Sequence, residues 1–477
     1  MNVLLSRWQF GVTITYHFLF VPLTIGLGMF VAVMQVLAYR RRDPGWDRLA
    51  RFFGTLFLIN FAMGVINFAM GVVTGIVQEF QFGMNWSNYS VFVGNIFGAP
   101  LAMEGLLAFF LESTFIGLWL FGRNRLPPLL HTITICVVSL GSIVSAFFIL
   151  TANSWMQHPV GYRVVGHKAL LTDFWAVLGN STLWAEFSHT VLAAFVTGAF
   201  FVLGVSAWQR LRGHQPEVFS RAAKLAAGVA VVCTLLVIVT GDIQARLMDT
   251  QQPMKMASAE AVYRTQKGAS FSLLTIGNLS GQPIFQIRVP HLLSLIATTS
   301  WNGKVTGITQ AQHAEALRHG PGSYVPVLWV TYWSFRLMVG LGLLMLAVSA
   351  WVLWRSRGDS LRALQFGRRT LLVLVAFIAA PFLANTFGWL FTEMGRQPWI
   401  VYGLMKTAQA GSPSVSVADV ALSLGGFTLV YTLLGVIDIV LMARAAGHGL
   451  DSGAGARPSG APRPGATGEG AESELVY

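Results

Sequence analysis

The chain has 477 residues, of which 54% are apolar and only 11% are Asp, Glu, Lys or Arg, and its mean hydropathy is +0.60. Soluble chains carry about a quarter charged residues, so this composition excludes a water-soluble enzyme and marks a polytopic membrane protein. The formal net charge of +12 is no nucleic-acid footprint by itself, because basic residues gathered on one side of a membrane give the same surplus.

Nine apolar runs are long enough to cross a bilayer, approximately residues 10–39, 52–78, 91–121, 129–151, 183–208, 222–240, 325–354, 371–391 and 417–442. They predict an all-α membrane domain of nine transmembrane helices. Arg40, Arg41, Arg42, Arg48 and Arg51 fill the first connection, and Arg123 and Arg125 the third. Arg210, Arg212, Arg221 and Lys224 fill the fifth, and Arg355, Arg357, Arg362, Arg368 and Arg369 the seventh. The short even-numbered connections are nearly free of Lys and Arg. By the positive-inside rule the N-terminus is outside and the C-terminus cytoplasmic. No cleavable signal peptide is evident, since the first apolar run is too long for a signal core. Cys136 and Cys233 lie inside apolar runs and read as small buried hydrophobes, with no haem-attachment or zinc spacing.

Residues 1–446 thus form the membrane domain. Two of its outer connections are long, 153–182 and 241–324, and a polar segment of the second size is usually functional. Residues 447–477, rich in Gly, Ala, Pro and Ser, predict a disordered cytoplasmic tail. Ile59-Asn60-Phe61-Ala62-Met63-Gly64-Val65 is repeated at once as Ile66-Asn67-Phe68-Ala69-Met70-Gly71-Val72. Seven residues make nearly two helical turns, so the repeat keeps the faces to within about 20° and lengthens the second span by roughly 10 Å.

Polar residues inside the spans form a pattern. His17 and His189 lie at similar depth from the outer side, Met338 a few turns inside the seventh span, and Glu393 at the outer end of the eighth. Each has a bland explanation: a satisfied histidine, a packing methionine, and an interfacial Glu393–Arg396 pair framed by Trp389 and Trp399. Together they are haem-ligand types, and His with Met is a low-spin axial pair. The third span carries Glu104 and Glu112, with no basic neighbour on their own helix. Their separation corresponds to roughly 12 Å and 80° on an α-helix. Two such acids mark an ion or proton path, which His131 and Ser145 on the fourth span extend. Asp438 is equally unusual and has no assigned use. In the long outer segment, residues 251–260 read as an amphipathic helix start carrying Gln252, Lys255 and Glu260, for which an ordinary solvated helix is the competing explanation.

These residues together resemble subunit I of the cytochrome bd quinol oxidases, along nearly the whole chain to Arg444. The matching stretches include Ser6-Arg7-Trp8-Gln9-Phe10, Tyr16-His17-Phe18-Leu19-Phe20-Val21-Pro22, Gly75-Ile76-Val77-Gln78-Glu79-Phe80-Gln81-Phe82-Gly83 and Phe97-Gly98-Ala99-Pro100-Leu101-Ala102-Met103-Glu104. Asn153-Ser154-Trp155-Met156-Gln157-His158-Pro159, Trp333-Ser334-Phe335-Arg336-Leu337-Met338 and Gly395-Arg396-Gln397-Pro398-Trp399 continue them. The resemblance implies that His189 and Met338 bind low-spin haem b. It implies His17 and Glu393 as axial ligands of two high-spin haems, one b and one d, without saying which holds which. Arg336 becomes a candidate propionate partner, with Trp389 and Arg396 beside the Glu393 haem. Glu104 and Glu112 match the family's proton-path acids, and Lys255 and Glu260, with Gln252, its quinol-loop residues in a loop of the short type. A second, homologous subunit is implied, with small single-span accessory subunits left open. Two departures stand out: the duplicated heptad, and Asn95 where an Asp is usual.

The resulting expectation is a copper-free quinol:oxygen oxidoreductase of the bacterial cytoplasmic membrane. It would reduce O2 to water with cytoplasmic protons and generate proton motive force without pumping. The competing classes are a proton-coupled transporter without cofactor and a haem-b electron-transfer anchor. Inverted repeats and paired broken helices, which would favour the transporter, are not seen in the sequence.

Overall fold

The computed structural model describes residues 2–62, 77, 80–278 and 282–450. Its main helices in chain order are α1 (Asn2–Arg41), α2 (Pro44–Ala62), α3 (Ser87–Gly122), α4 (Pro128–Gln157), α5 (Ser181–Leu211) and α6 (Pro216–Gln251). The short α7 (Pro253–Ala259) and α8 (Ile308–His319) precede α9 (Leu328–Arg355), α10 (Arg368–Gly395) and α11 (Val417–Gly447). Among the described residues, eight of these are long and apolar enough to cross a membrane. The remaining expected span, residues 52–78, begins in α2 and then lies outside the described residues. So do the second copy of the heptad and residues 451–477 of the tail.

Local sequence sets the helix starts. Pro128 and Pro216 occupy the first helical positions, where the missing N–H costs nothing. Asn180 caps α5, its Oδ1 accepting from Thr182 N at 3.0 Å, while its Nδ2 donates to His158 O at 2.9 Å. α6 runs to Gln251, well past the end of its apolar run at residue 240. Residues 241–251 lose apolarity but keep helix formers, an Asp242–Arg246 ion pair one turn apart, and no proline until Pro253. The loop is therefore shorter than apolarity alone indicates.

The fold is mostly helical, as expected, and among the described residues four two-stranded sheets lie in the connections. The largest pairs Phe271–Asn278 with Gln282–Val289, and another pairs Tyr162–Val165 with Lys168–Leu171 around Gly166, whose φ is +60°. Asn95 has a structural job here: its Oδ1 accepts from Leu171 N at 2.8 Å.

Two faces of the bundle are distinct. At one, the loops meet each other: Tyr402 N donates to Met156 O, Asn2 to Val415 O, and Ser412 Oγ to Met84 O. At the other, the arginine-rich connections meet acids: Asp47 holds Arg51 and Arg123, and Asp43 holds Arg221. α1 and α5 both run from the loop face to the basic face. They touch at Gly26 and Gly198, where an added Cβ would stand 2.7 Å from Gly198 N or 2.5 Å from Gly26 C. Such small-residue contacts let helix backbones approach in a membrane, where packing rather than water exclusion drives association. The core around this contact includes Leu27, Phe30, Phe57, Phe200 and Phe219, all fully enclosed.

Candidate functional site

His189 lies on α5, two turns in from the loop face, and its Nδ1 meets Thr240 Oγ1 on α6 at 3.0 Å. The Thr240 hydroxyl already donates to the Leu236 carbonyl at 3.0 Å. In that arrangement its oxygen accepts from His189, whose ring is also hydrogen-bonded to the Val237 carbonyl, and an imidazole proton on Nδ1 leaves the Nε2 lone pair open to a metal. Met338 on α9 faces α10, where a Cβ on Gly388 would come within 2.9 Å of its Sδ. Trp389 follows directly.

Arg336, two residues before Met338, points to the loop and pairs with Glu260, with side chains 8% and 1% exposed. Its guanidinium also lies 4.6 Å from the Phe271 ring centre. Burial pushes the Glu260 carboxyl up, and Arg336 opposes this. Arg336 Nε and Nη1 have no partner among the described residues.

Glu393 ends α10 in a fully formed polar set. Asn153 Nδ2 on α4 donates to its Oε1 at 3.0 Å, and Arg396 pairs with its Oε2. Arg396 is 2% exposed, yet its Nε and Nη1 are also without partners among the described residues. Arg7 on α1 reaches Met394 Sδ at 3.7 Å and closes the other side.

The start of the loop is packed into this set. α7 is not amphipathic: Met254 to Ala259 are all buried, with Lys255 7% and Glu260 2% exposed, so the solvated-helix explanation fails for both. The Lys255 stem crosses Gly395, where a Cβ would stand 2.9 Å from its Cγ. Lys255 Nζ donates to Gln157 Oε1 at 3.3 Å, Gln157 Nε2 to Asn153 Oδ1 at 3.4 Å, and Asn153 to Glu393. A polar chain one α4 turn long thus joins the loop lysine to the Glu393 carboxylate. Gln252 Nε2 joins it, donating to Gln157 O at 2.7 Å. Burial pushes the Lys255 ammonium down, opposed by Glu186.

Glu186 is the residue that sequence reasoning missed. It sits one turn before His189 and shares the electrostatic neighbourhood of Lys255, Glu393 and Arg396, with a buried Oε2 that has no partner among the described residues. Its signal was available, since an acid inside the 183–208 apolar run meets the same criterion as Glu104. Asn153 and Gln157 were legible only as parts of a matching stretch.

Glu104 and Glu112 both face α4, held by different serines. Ser145 Oγ donates to Glu104 Oε1 at 2.7 Å, and Glu112 is hydrogen-bonded to Ser142. They share one side because Glu104–Ala108 is a π-helical turn. The residue it accommodates removes roughly 100° of rotation, bringing the expected offset of about 80° close to zero. Gly141 leaves room for Glu112, whose Cγ a Cβ there would approach to 3.0 Å. His131 is placed differently. Its Nε2 meets Trp119 O and its Nδ1 meets Gln35 Nε2, both at 2.8 Å, so both ring nitrogens are engaged in a closed set three turns from Ser142. His17 lies on α1 beside Tyr16, which stacks on Tyr431 of α11 at 4.6 Å. Asp438, one turn beyond Gly435 on the same helix, is buried with Oδ1 unpartnered among the described residues.

Comparison with known proteins places this geometry. Residues 5–450 match the family model for cytochrome bd terminal oxidase subunit I. The chain belongs to that family. It is 44% identical to cytochrome bd ubiquinol oxidase subunit 1 of Bacillus subtilis, over 93% of both chains. It is 34% identical to cytochrome bd-II ubiquinol oxidase subunit 1 of Escherichia coli, over 93% of this chain and 96% of the relative. Its fold matches the solved bd oxidase from Geobacillus thermodenitrificans with a TM-score of 0.84 at 26% identity, covering 94% of this chain and 98% of that one.

Membership makes this a multi-pass membrane subunit of a bd-type terminal oxidase, with haem as the cofactor type. The residues present fit haem. Arg336 and Arg396 each hold two buried guanidinium nitrogens that lack an acceptor among the described residues, which is what a propionate supplies. His189 is held at Nδ1 by Thr240.

Proposed function

We propose that the chain is the haem-bearing subunit of a quinol oxidase, taking electrons from quinol at the loop face and delivering them to O2. The observation that carries this reading is the continuous chain from Lys255 through Gln157 and Asn153 to Glu393. It couples a loop able to hold a quinol head group to a carboxylate able to hold iron.

In this reading His189 and Met338 ligate a low-spin haem b, and His17 and Glu393 ligate the high-spin b and d haems. Arg336 and Arg396 hold propionates, with Trp389 alongside. Bound there, the haems supply electron transfer and the reduction of oxygen to water. Lys255, Gln252 and Glu260 orient the quinol. Glu260 also ties the loop to α9 through Arg336, so a quinol contact on the loop is felt two residues from Met338.

Glu112 and Glu104 carry protons from the basic face along α4, handing on through Ser142 and Ser145. The set that holds His131 anchors the entrance. A buried carboxylic acid kept neutral relays a proton without the full cost of a buried charge. The positive-inside rule makes the basic face cytoplasmic, so the N-terminus and the loops lie outside. Protons taken from one side and electrons from the other make turnover electrogenic without pumping or copper. The relatives are named subunit 1, and a second subunit packs beside this one in the bacterial cytoplasmic membrane.

The test is the visible spectrum and quinol-driven oxygen uptake of the purified complex. Haem b and haem d together with quinol-dependent uptake are expected. A protein without haem would be the transporter, and one with haem b and no oxygen uptake would be the electron-transfer anchor.

A further inference from the structure

The loop face holds one further set of ionisable groups, on an element that the reading above does not use. α8 carries Glu315 and, one turn on, His319. Glu315 is 6% exposed. Tyr402 Oη donates to its Oε1 at 2.8 Å, whereas its Oε2 accepts no hydrogen bond among the described residues and lies 3.6 Å from His319 Nε2. Glu315 and Tyr402 line a small cavity walled also by Gln252, Lys255, Arg396 and Trp399. The His319 side chain is 28% exposed. The pair therefore leads from the cavity beside Lys255 to solvent.

A buried carboxylate oxygen left without a donor costs about 1–3 kcal/mol or more, and a purely structural ion pair would close the gap to His319. Tyr402 supplies only one bond. Burial and the Glu315 carboxylate push its phenol up, so it remains an O–H donor and leaves Oε2 as the basic atom. Lys255 and Arg396 face Glu315 across the cavity, Arg318 flanks it on α8, and Lys406 lies 4.4 Å from the Tyr324 ring centre. Lys255 is buried, so the exposed end of this set is His319.

We propose that Glu315 accepts the protons of the quinol oxidised beside it and that His319 passes them to solvent on the loop side. This rests on the quinol reading above. A hydroquinone becomes a quinone by losing two electrons and two protons. The electrons go to a haem acceptor, one O–H bond breaks toward Glu315 Oε2, the para O–H gives its proton to the same oxygen through water, and each proton moves on to His319 Nε2 and then to bulk solvent. Glu315 is restored after each transfer, so one pair serves both protons.

The test uses the purified holoenzyme and two electron donors. One is a short-chain quinol; the other is tetramethyl-p-phenylenediamine, which gives an electron without releasing a proton. Glu315→Gln keeps an acceptor for Tyr402 but cannot take a proton. Its kcat with quinol should fall on the order of 100-fold, while its rate with the diamine and its dithionite-reduced haem spectrum stay as in the wild type. His319→Gln should show the same donor-selective loss, and added imidazole should restore it, because the position is reached by solvent. Wild-type quinol turnover in Glu315→Gln, an equal loss with both donors, or no imidazole rescue of His319→Gln would each overturn the proposal. A wild-type enzyme that accepts electrons from the diamine and none from quinol would overturn the quinol reading, and this proposal with it.

Discussion

Gly26 on α1 and Gly198 on α5 are in backbone contact, and each lies nine residues after a histidine, His17 and His189. The two helices run the same way, so the contact sets both imidazoles at one depth, roughly 13 Å toward the loop face. A Cβ at either glycine would strike backbone rather than a flexible side chain. Gly26→Ala or Gly198→Ala should destabilise the protein by about 1–3 kcal/mol through overpacking. Thermal unfolding in detergent would show this as a lowered midpoint. An unchanged midpoint would mean that the contact is looser than described.

Thr240 holds Nδ1 of His189. Thr240→Val preserves shape and removes the acceptor. Loss of such a supporting partner typically weakens a metal site about 10–100-fold, so the variant should retain low-spin haem poorly on dilution or washing. Retention equal to the wild type would leave Thr240 as packing alone.

Arg396 is almost wholly buried against Glu393. Arg396→Gln removes the charge partner of Glu393, whose side chain is 19% exposed, a loss of a charged hydrogen bond that costs about 1.5–3 kcal/mol. Poor assembly and loss of the Glu393-linked haem absorption are expected together. Full haem content with unaltered bands would show that Asn153 alone suffices.

Lys255 gives a pH dependence with a definite sign. Its folded-state value lies below the ordinary 10.5 because burial disfavours the ammonium. Between those two values the unfolded chain binds more protons than the folded one, so this group's term makes stability rise with pH across that window. Lys255→Met should remove that rise. Melting midpoints measured from neutral pH to about pH 10 would reveal it, and an identical slope in the variant would assign the effect to another group.

Much of the site was legible from composition and position. Imidazole and carboxylate are conspicuous in hydrocarbon, and His189 and Glu393 stood out for that reason, whereas Met338, one of 16 methionines, gained meaning only beside them. Geometry that depends on neighbouring helices was not legible. Nothing in the third span announces that Glu104 starts a π-turn, yet that turn is what aligns it with Glu112. Lys255 looked like an ordinary surface charge because it is enclosed by Gly395 and Phe391 of α10 and Gln157 of α4, far away in sequence, and Glu260 because Arg336 of α9 and Ser272 close over it. Asn153 and Gln157 are neutral amides, and only the fold reveals them as links between Lys255 and Glu393. Apolarity also ended α6 too early, because helix propensity outlasts hydrophobicity from residue 241 to Gln251.

The measurement that bears most directly on the account is the reduced-minus-oxidised spectrum of Met338→Leu beside the wild type. Leucine fills a similar volume but offers no sulfur to iron, so the bundle should assemble and its high-spin bands should remain. The account predicts that the low-spin haem b signal is lost by conversion to high spin, while total haem is unchanged. An unchanged low-spin spectrum in that variant would contradict it.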